Sequence, residues 1–172
     1  MTSHSRLKLL QIDTREKKNG FIEEYLIAND IPFFRSKMYV GDYKLHCSPY
    51  YVIDRKANMS EIYENITNNA KRFKEELQRA KDSHIHLVVL IEDETIRTLE
   101  DVKEWEHPHP EYHKRVLPGR VVFRKLDDLA RVYDCEFLFS TREAYAETML
   151  SLLREAQEKW LDGIATVYGG SR

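Results

Sequence analysis

Apolar positions recur along the chain in two rhythms. Residues 7–12 form a short apolar run, and Phe21, Ile22, Tyr25 and Leu26 then return at helical spacing after Lys17-Lys18-Asn19-Gly20. A strand and a helix are predicted, the helix ending at Asn29, Asp30 and Pro32. Residues 33–40, 43–46 and 51–56 are β-rich runs separated by Gly41-Asp42 and Ser48-Pro49, which predict three strands in a meander. Ser60 is placed to cap one long helix, in which Ile62, Ile66, Ala70, Phe73, Leu77 and Ala80 step by three or four. Residues 85–91 are almost unbroken Leu, Val and Ile, the pattern of a strand covered on both faces at the centre of a sheet. Pro108, Pro110 and Pro118 exclude a regular helix from residues 105–120, which read as a loop or lid. Helical spacing resumes over 121–133, residues 135–139 are strand-like, and Thr141 is placed to cap a last helix through Tyr145, Met149, Leu152, Leu153 and Trp160. The tail 164–172 is expected to fray. With no repeat and no internal linker, this order predicts one α/β sandwich domain spanning residues 1–172.

Composition narrows the class. A chain of 172 residues, 42% hydrophobic and 33% charged, has the apolar content for a folded core. No apolar run approaches the ~20 residues that cross a bilayer, and the start lacks a signal-peptide pattern, so the expectation is a cytoplasmic protein with no membrane partner. Cys47 and Cys135 lie far apart and read as reduced thiols. A net charge of −2 excludes indiscriminate coating of nucleic acid, so any DNA-binding face must be a local patch.

The carboxylates carry the chemistry. Asp54 and Lys56 stand two apart on one predicted strand and so leave the same face of the sheet, while Asp42 opens the strand before it. One hard cation fits between Asp42 and Asp54 with Lys56 beside it, and the backbone carbonyl of Arg55 is a further candidate ligand. Arg55 itself points to the opposite face and needs a partner, because an unpaired buried guanidinium is very costly.

These residues stand in a larger ordered set: Asp13-Thr14-Arg15-Glu16, Gly41-Asp42-Tyr43, Asp54-Arg55-Lys56, Arg72 in the long helix, and Leu90-Ile91-Glu92. Over roughly residues 9–160 the set resembles the nuclease domain of the XPF and Mus-type structure-specific endonucleases. That family is a branch of the PD-(D/E)XK restriction-endonuclease-like fold. The resemblance implies a three-layer sandwich, a central mixed sheet flanked by helices. It further implies a Mg²⁺-dependent endonuclease, with Mn²⁺ able to substitute, that cuts branched, flap or junction DNA in recombination or repair and works as a homodimer. Asp42 and Asp54 would be the metal ligands, Lys56 would position the water, and Asp13 and Glu16 would complete the acidic site or contact the metal through water. Arg15 and Arg55 would brace the carboxylates, and Arg72 would reach a phosphate or brace the site.

Two departures from the family pattern concern chemistry. Asp54 stands where the family has Glu, which keeps the charge on a shorter arm, and Ser60, followed by Glu61, stands where the family has Asp. Many relatives append a helix-hairpin-helix module or a helicase, and no such module follows here. A stand-alone bacterial or phage nuclease, with duplex grip from a second copy or a separate DNA-binding protein, is therefore expected. A Holliday-junction resolvase or non-specific nuclease of the same fold is the alternative activity, and a non-cutting DNA-binding subunit the alternative class.

Other signals are weaker. Lys114, Arg115, Arg120 and Arg124, with Lys125, form a basic cluster beside Trp105 and Tyr112, suited to a DNA backbone. His107, His109 and His113 lack the Cys or carboxylate that would complete a zinc set, and no zinc site is expected. Lys71, Lys74 and Lys81 alternate with Glu75 and Asp82 as a solvated helix face.

Overall fold

In a computed structural model that describes residues 9–113 and 115–169, six strands form one mixed sheet in the order β2-β1-β3-β4-β5-β6. The strands are β1 (Leu10–Ile12), β2 (Phe33–Arg35), β3 (Tyr43–Leu45), β4 (Tyr51–Lys56), β5 (His86–Glu92) and β6 (Cys135–Ser140). The helices are α1 (Gly20–Ala28), α2 (Met59–Ile66), α3 (Ala70–Asp82), α4 (Gly119–Tyr133) and α5 (Tyr145–Gly169). This is the mixed-sheet, helix-flanked sandwich anticipated from the sequence. Strands β4, β5 and β6 run parallel, joined by the α2–α3 and α4 crossovers that parallel pairing requires.

β5 shows why the sheet has two cores. Leu87, Val89 and Ile91 pack with α2, α3 and α4 on one face, while Val88 and Leu90 pack with α1 and α5 on the other. Each such fully buried aliphatic contributes about 1.5–3 kcal/mol. β4 alternates in the same way, with Val52 in the first core and Ile53 in the second.

Several expectations change. The meander is interrupted, because β1 inserts between β2 and β3, pairing parallel with β2 and antiparallel with β3. β2 is only three residues long, and the chain leaves the sheet where the Met38 amide turns to Asp13. β5 is an interior strand, but it lies next to the β6 edge and not at the centre. The long helix is two helices. At their junction Thr67 Oγ1 donates back to the Tyr63 carbonyl (2.7 Å) and the Asn68 amide group donates to Glu64 (2.6 Å), side-chain bonds that compete with a continuous helix. The cap of α2 is Asn58, which accepts the Glu61 amide at 2.9 Å while Glu61 accepts the Ala57 amide at 2.7 Å; Ser60 lies within the first turn.

The predicted loop contains a 3₁₀ turn at Pro110–Tyr112 and ends earlier than expected, since α4 starts at Gly119. That start needs glycine, because a Cβ at Gly119 would meet the Val102, Lys103 and Trp105 carbonyls at 2.5–2.7 Å. The backbone of α5 is helical through Gly169. Residues 7 and 8 of the first predicted strand lie outside the described residues. Cys47 and Cys135 are both free, and no described helix is long and apolar enough to cross a membrane.

Candidate metal and phosphodiester site

The site forms where β3 begins and β4 ends. Gly41 (φ +63°) turns the chain into β3 at a point where a Cβ would stand 2.5 Å from Val52 Cγ1, so the close approach to β4 needs glycine. The Asp42 amide then donates to the Ile53 carbonyl, and Asp42 Oδ2 accepts the Arg55 amide, both at 2.8 Å. The carboxylate of Asp42 is thereby pinned to the backbone between Asp54 and Lys56. Because the N–H and C=O of one strand residue project to the same side, the Arg55 carbonyl also faces Asp42.

Alternation along β4 sends Asp54 and Lys56 to the α2–α3 side, where Lys56 Nζ lies 2.7 Å from Asp54 Oδ2 and 5.7 Å from the Phe73 ring centroid. Both residues are buried. Burial alone would lower the Lys56 pKa, but the charge of Asp54 outweighs it and raises it, so Lys56 is a fixed cation at neutral pH and not a base. Asp42 is driven well above the usual carboxylate range, first by burial and then by the Asp54 charge. Two carboxylates crowded in this way gain from a shared cation.

Asp13 has a different duty from the one the motif suggested. Its side chain is fully buried, and its oxygens accept four hydrogen bonds: Oδ1 from the Arg15 amide (2.7 Å) and Nε (2.8 Å), Oδ2 from Arg15 Nη2 (3.0 Å) and the Met38 amide (2.6 Å). A carboxylate has about four acceptor positions, so none is left for a metal. Asp13 is an anchor that fixes the segment leading into Asp42. Burial opposes its ionisation, but the Arg15 side chain and the Arg15 and Met38 amides together pull its pKa down.

Glu16 sits with Arg55, not with the Asp54–Lys56 pair, although its charge is still felt at Asp42. Its Oε1 accepts the Lys18 amide at 3.1 Å and lies 3.8 Å from Arg55 Nη1. Arg55 finds partners at its two terminal nitrogens, while its Nε is buried without a hydrogen-bond partner. It donates to Glu92 at 3.1 Å and its guanidinium carbon lies 5.4 Å and 5.6 Å from the Phe21 and Tyr145 ring centroids. Glu92 is shared with Arg142 at 3.2 Å, which ties the segment before α5 to the same network.

Two acidic residues of this neighbourhood escaped assignment from sequence. Glu92 is the terminal Glu of the Leu-Ile-Glu motif, and its role as counter-ion to Arg55 follows only from the β4–β5 register, Arg55 opposite Leu90. Glu76 on α3 is half-buried, and burial followed by the Asp54 charge raises its pKa, with Lys56 and the Gly41 amide partly offsetting them. Its signal was its spacing of four from Arg72, which puts both on one flank of the helix.

Arg72 is exposed one turn before Glu76. Arg115, Arg120 and Arg124 are exposed on and before α4, where Arg124 Nε turns back to the Arg120 carbonyl at 3.4 Å, and Lys114 lies outside the described residues. Ser60 lines a separate cavity of about 590 Å³ with Asp93, Asp101, Glu104 and Trp105.

The donor set fits a hard divalent cation. Every candidate donor is oxygen, and Asp54 Oδ2 is a buried atom that no donor meets with hydrogen-bond alignment, although Lys56 Nζ lies 2.7 Å away. Among the described residues no three His, Cys, Asp or Glu side chains converge to hold a metal by themselves. A cation between Asp42 and Asp54 would therefore complete its shell with the Arg55 carbonyl, water and substrate oxygens, as Mg²⁺ commonly does.

A family model described as the ERCC4 domain matches residues 12–153. Among solved structures, "XPF from Aeropyrum pernix" superposes with a TM-score of 0.64 at 16% identity, covering 90% of this chain and 67% of that one. "XPF from Aeropyrum pernix, complex with DNA" superposes with a TM-score of 0.59 at 13% identity, covering 88% of this chain and 66% of that one. At such identities these likenesses concern the fold. No curated protein sequence matches the chain.

Proposed function

Since the chain belongs to the ERCC4-domain family, the XPF nuclease family, we propose that it is a Mg²⁺-dependent endonuclease hydrolysing phosphodiester bonds of branched or flap DNA, as a homodimer. The observation that carries this reading is Asp42 pinned beside the Asp54–Lys56 pair, with Asp54 Oδ2 buried and lacking an aligned donor. A bound Mg²⁺ would supply Lewis-acid polarisation of the phosphate and a more acidic water.

The chain's own residues divide the remaining work. Asp42, Asp54 and the Arg55 carbonyl would hold the ion. Lys56, kept protonated by Asp54, would hold the attacking water and balance charge that builds on the phosphate; it would not take the proton. Asp13 and Arg15 fix the approach to Asp42, and the Glu16–Arg55–Glu92 network fixes the end of β4. Glu76 borders the site from α3, and Arg72, exposed one turn before it, would meet a phosphate. Retention of Asp42, Asp54 and Lys56 together speaks for a cutting enzyme over a non-cutting DNA-binding subunit.

Labelled duplex, single-strand, flap and four-way-junction DNA incubated with the protein in Mg²⁺ or Mn²⁺ tests the reading. Cleavage of the branched substrates that Asp54→Ala abolishes is expected, and cleavage that persists unchanged in Asp54→Ala overturns it. Symmetric paired nicks on the four-way junction would instead identify a resolvase. A single mass near twice 20.5 kDa in light scattering is the expected sign of the homodimer.

A further inference from the structure

Tyr39 stands out beside the site. Residues 36–41 leave β2 and cross to β3, and within them Met38 and Val40 are buried in the core of Val52, Met59 and Phe73, while Tyr39 between them is 66% exposed. The segment is held on both sides of Met38. Its amide donates to Asp13 Oδ2 at 2.6 Å and its carbonyl accepts Arg15 Nη2 at 3.0 Å. Beyond Tyr39, Gly41 locks the turn against Val52. An aromatic ring is thus presented to solvent from backbone that is fixed before and after it. Among the described residues its ring makes no aromatic, cation or hydrogen-bond contact.

The charged surroundings select a ligand class. Lys37 is close in sequence to Tyr39, and Arg15, bonded to the Met38 carbonyl, is 60% exposed; Lys17 and Lys18 follow Arg15 and are exposed as well. The acidic groups of these two segments, Asp13 and Glu16, are largely turned inward. An exposed ring with exposed cations on its own segment and on the adjoining one suits a nucleic-acid strand with its bases unpaired, since phosphates meet the cations and a free base meets the ring. Bases stacked inside a duplex offer no such face.

Geometry sets the position of that base. Tyr39 and Asp42 are three residues apart, so their Cα atoms are at most about 11 Å from one another. With the reach of the two side chains added, the ring lies within a few nucleotides of a phosphate held at Asp42. Resting on the nuclease reading above, we propose that Tyr39 is a stacking post for one unpaired base next to the cut. Asp13 and Arg15 serve this function too, by holding the post.

The test uses the full chain carrying Asp54→Ala, with and without Tyr39→Ala, Tyr39→Phe or Tyr39→Trp. The probe is DNA with 2-aminopurine at each of the first four unpaired positions of a flap, compared with a fully paired duplex. Base stacking on an aromatic residue implies that Tyr39→Ala weakens flap binding about 5- to 100-fold, abolishes the quenching of 2-aminopurine at one position, and leaves duplex binding unchanged. Tyr39→Phe and Tyr39→Trp retain both signals. An unchanged melting temperature in Tyr39→Ala is expected from the exposure of the ring and separates lost stacking from lost folding. Equal losses on flap and duplex, or no loss on either, overturn the proposal. The nuclease reading fails separately: if the chain with Asp54 intact cuts no DNA in Mg²⁺ while the quenching remains, stacking stands and cutting does not. Absence of binding to any of these DNAs overturns both.

Discussion

Asp13→Ala separates the two duties that its motif permits, ligand and anchor. Truncation removes an acceptor of four hydrogen bonds. The two from the Arg15 side chain count little, because that group is 60% exposed and regains water. The two from the Arg15 and Met38 amides are charge-assisted, at about 1.5–3 kcal/mol each, and Met38 is buried where no water replaces the lost acceptor. The expected loss is therefore about 3–6 kcal/mol, against a total stability of about 5–15 kcal/mol for a domain. Urea unfolding followed by circular dichroism should show the midpoint falling with little change in slope, and thermal melting a drop of roughly 10 °C. Terbium luminescence at a metal concentration that saturates the folded protein should be nearly unchanged, since Asp13 holds no ion. The reasoning is refuted if Asp13→Ala is as stable as the parent while its metal affinity collapses, the signature of a ligand.

Asp42→Asn should raise the melting temperature of the metal-free protein, because it removes the charge that burial and Asp54 disfavour. The same variant should lose the further rise that Mg²⁺ gives the parent, and a variant that melts lower without metal contradicts the crowding. In the segment before α4, His107 packs on Tyr63, Trp105 and His113 at ring-centroid distances of 4.8, 5.4 and 4.4 Å, with His109, Glu64 and Glu111 as the other charged groups near it. Burial, then His113 and His109, lower its pKa, so between that lowered value and about 6.5 the unfolded chain binds more protons than the folded one. Stability from this group is present above about pH 6.5 and is lost as pH falls through the lowered value. Trp105 fluorescence in a Trp160→Phe background should report a reversible loosening on acidification that His107→Asn removes, and an identical profile in His107→Asn refutes the assignment.

The face on which each residue of β4 would lie was legible from sequence, because a period of two is enforced by the pleat itself. Asp54 and Lys56 go one way and Arg55 the other whatever the rest of the chain does, and the apolar run of β5 required two cores in the same manner. Local chemistry also predicted that Arg55 must be paired. Its partners could not be read, since Glu16 and Glu92 reach it only through the packing of α1 and α5 and the parallel register of β4 with β5. The break after α2 was hidden because apolar spacing continues across Thr67–Asn69 while the side-chain bonds that end the helix leave no mark on periodicity. Asp13 illustrates the division most clearly. Its sequence motif identified it as part of a nuclease site, but the number of donors aimed at its two oxygens is a property of the fold, and that number decides between holding an ion and holding the chain.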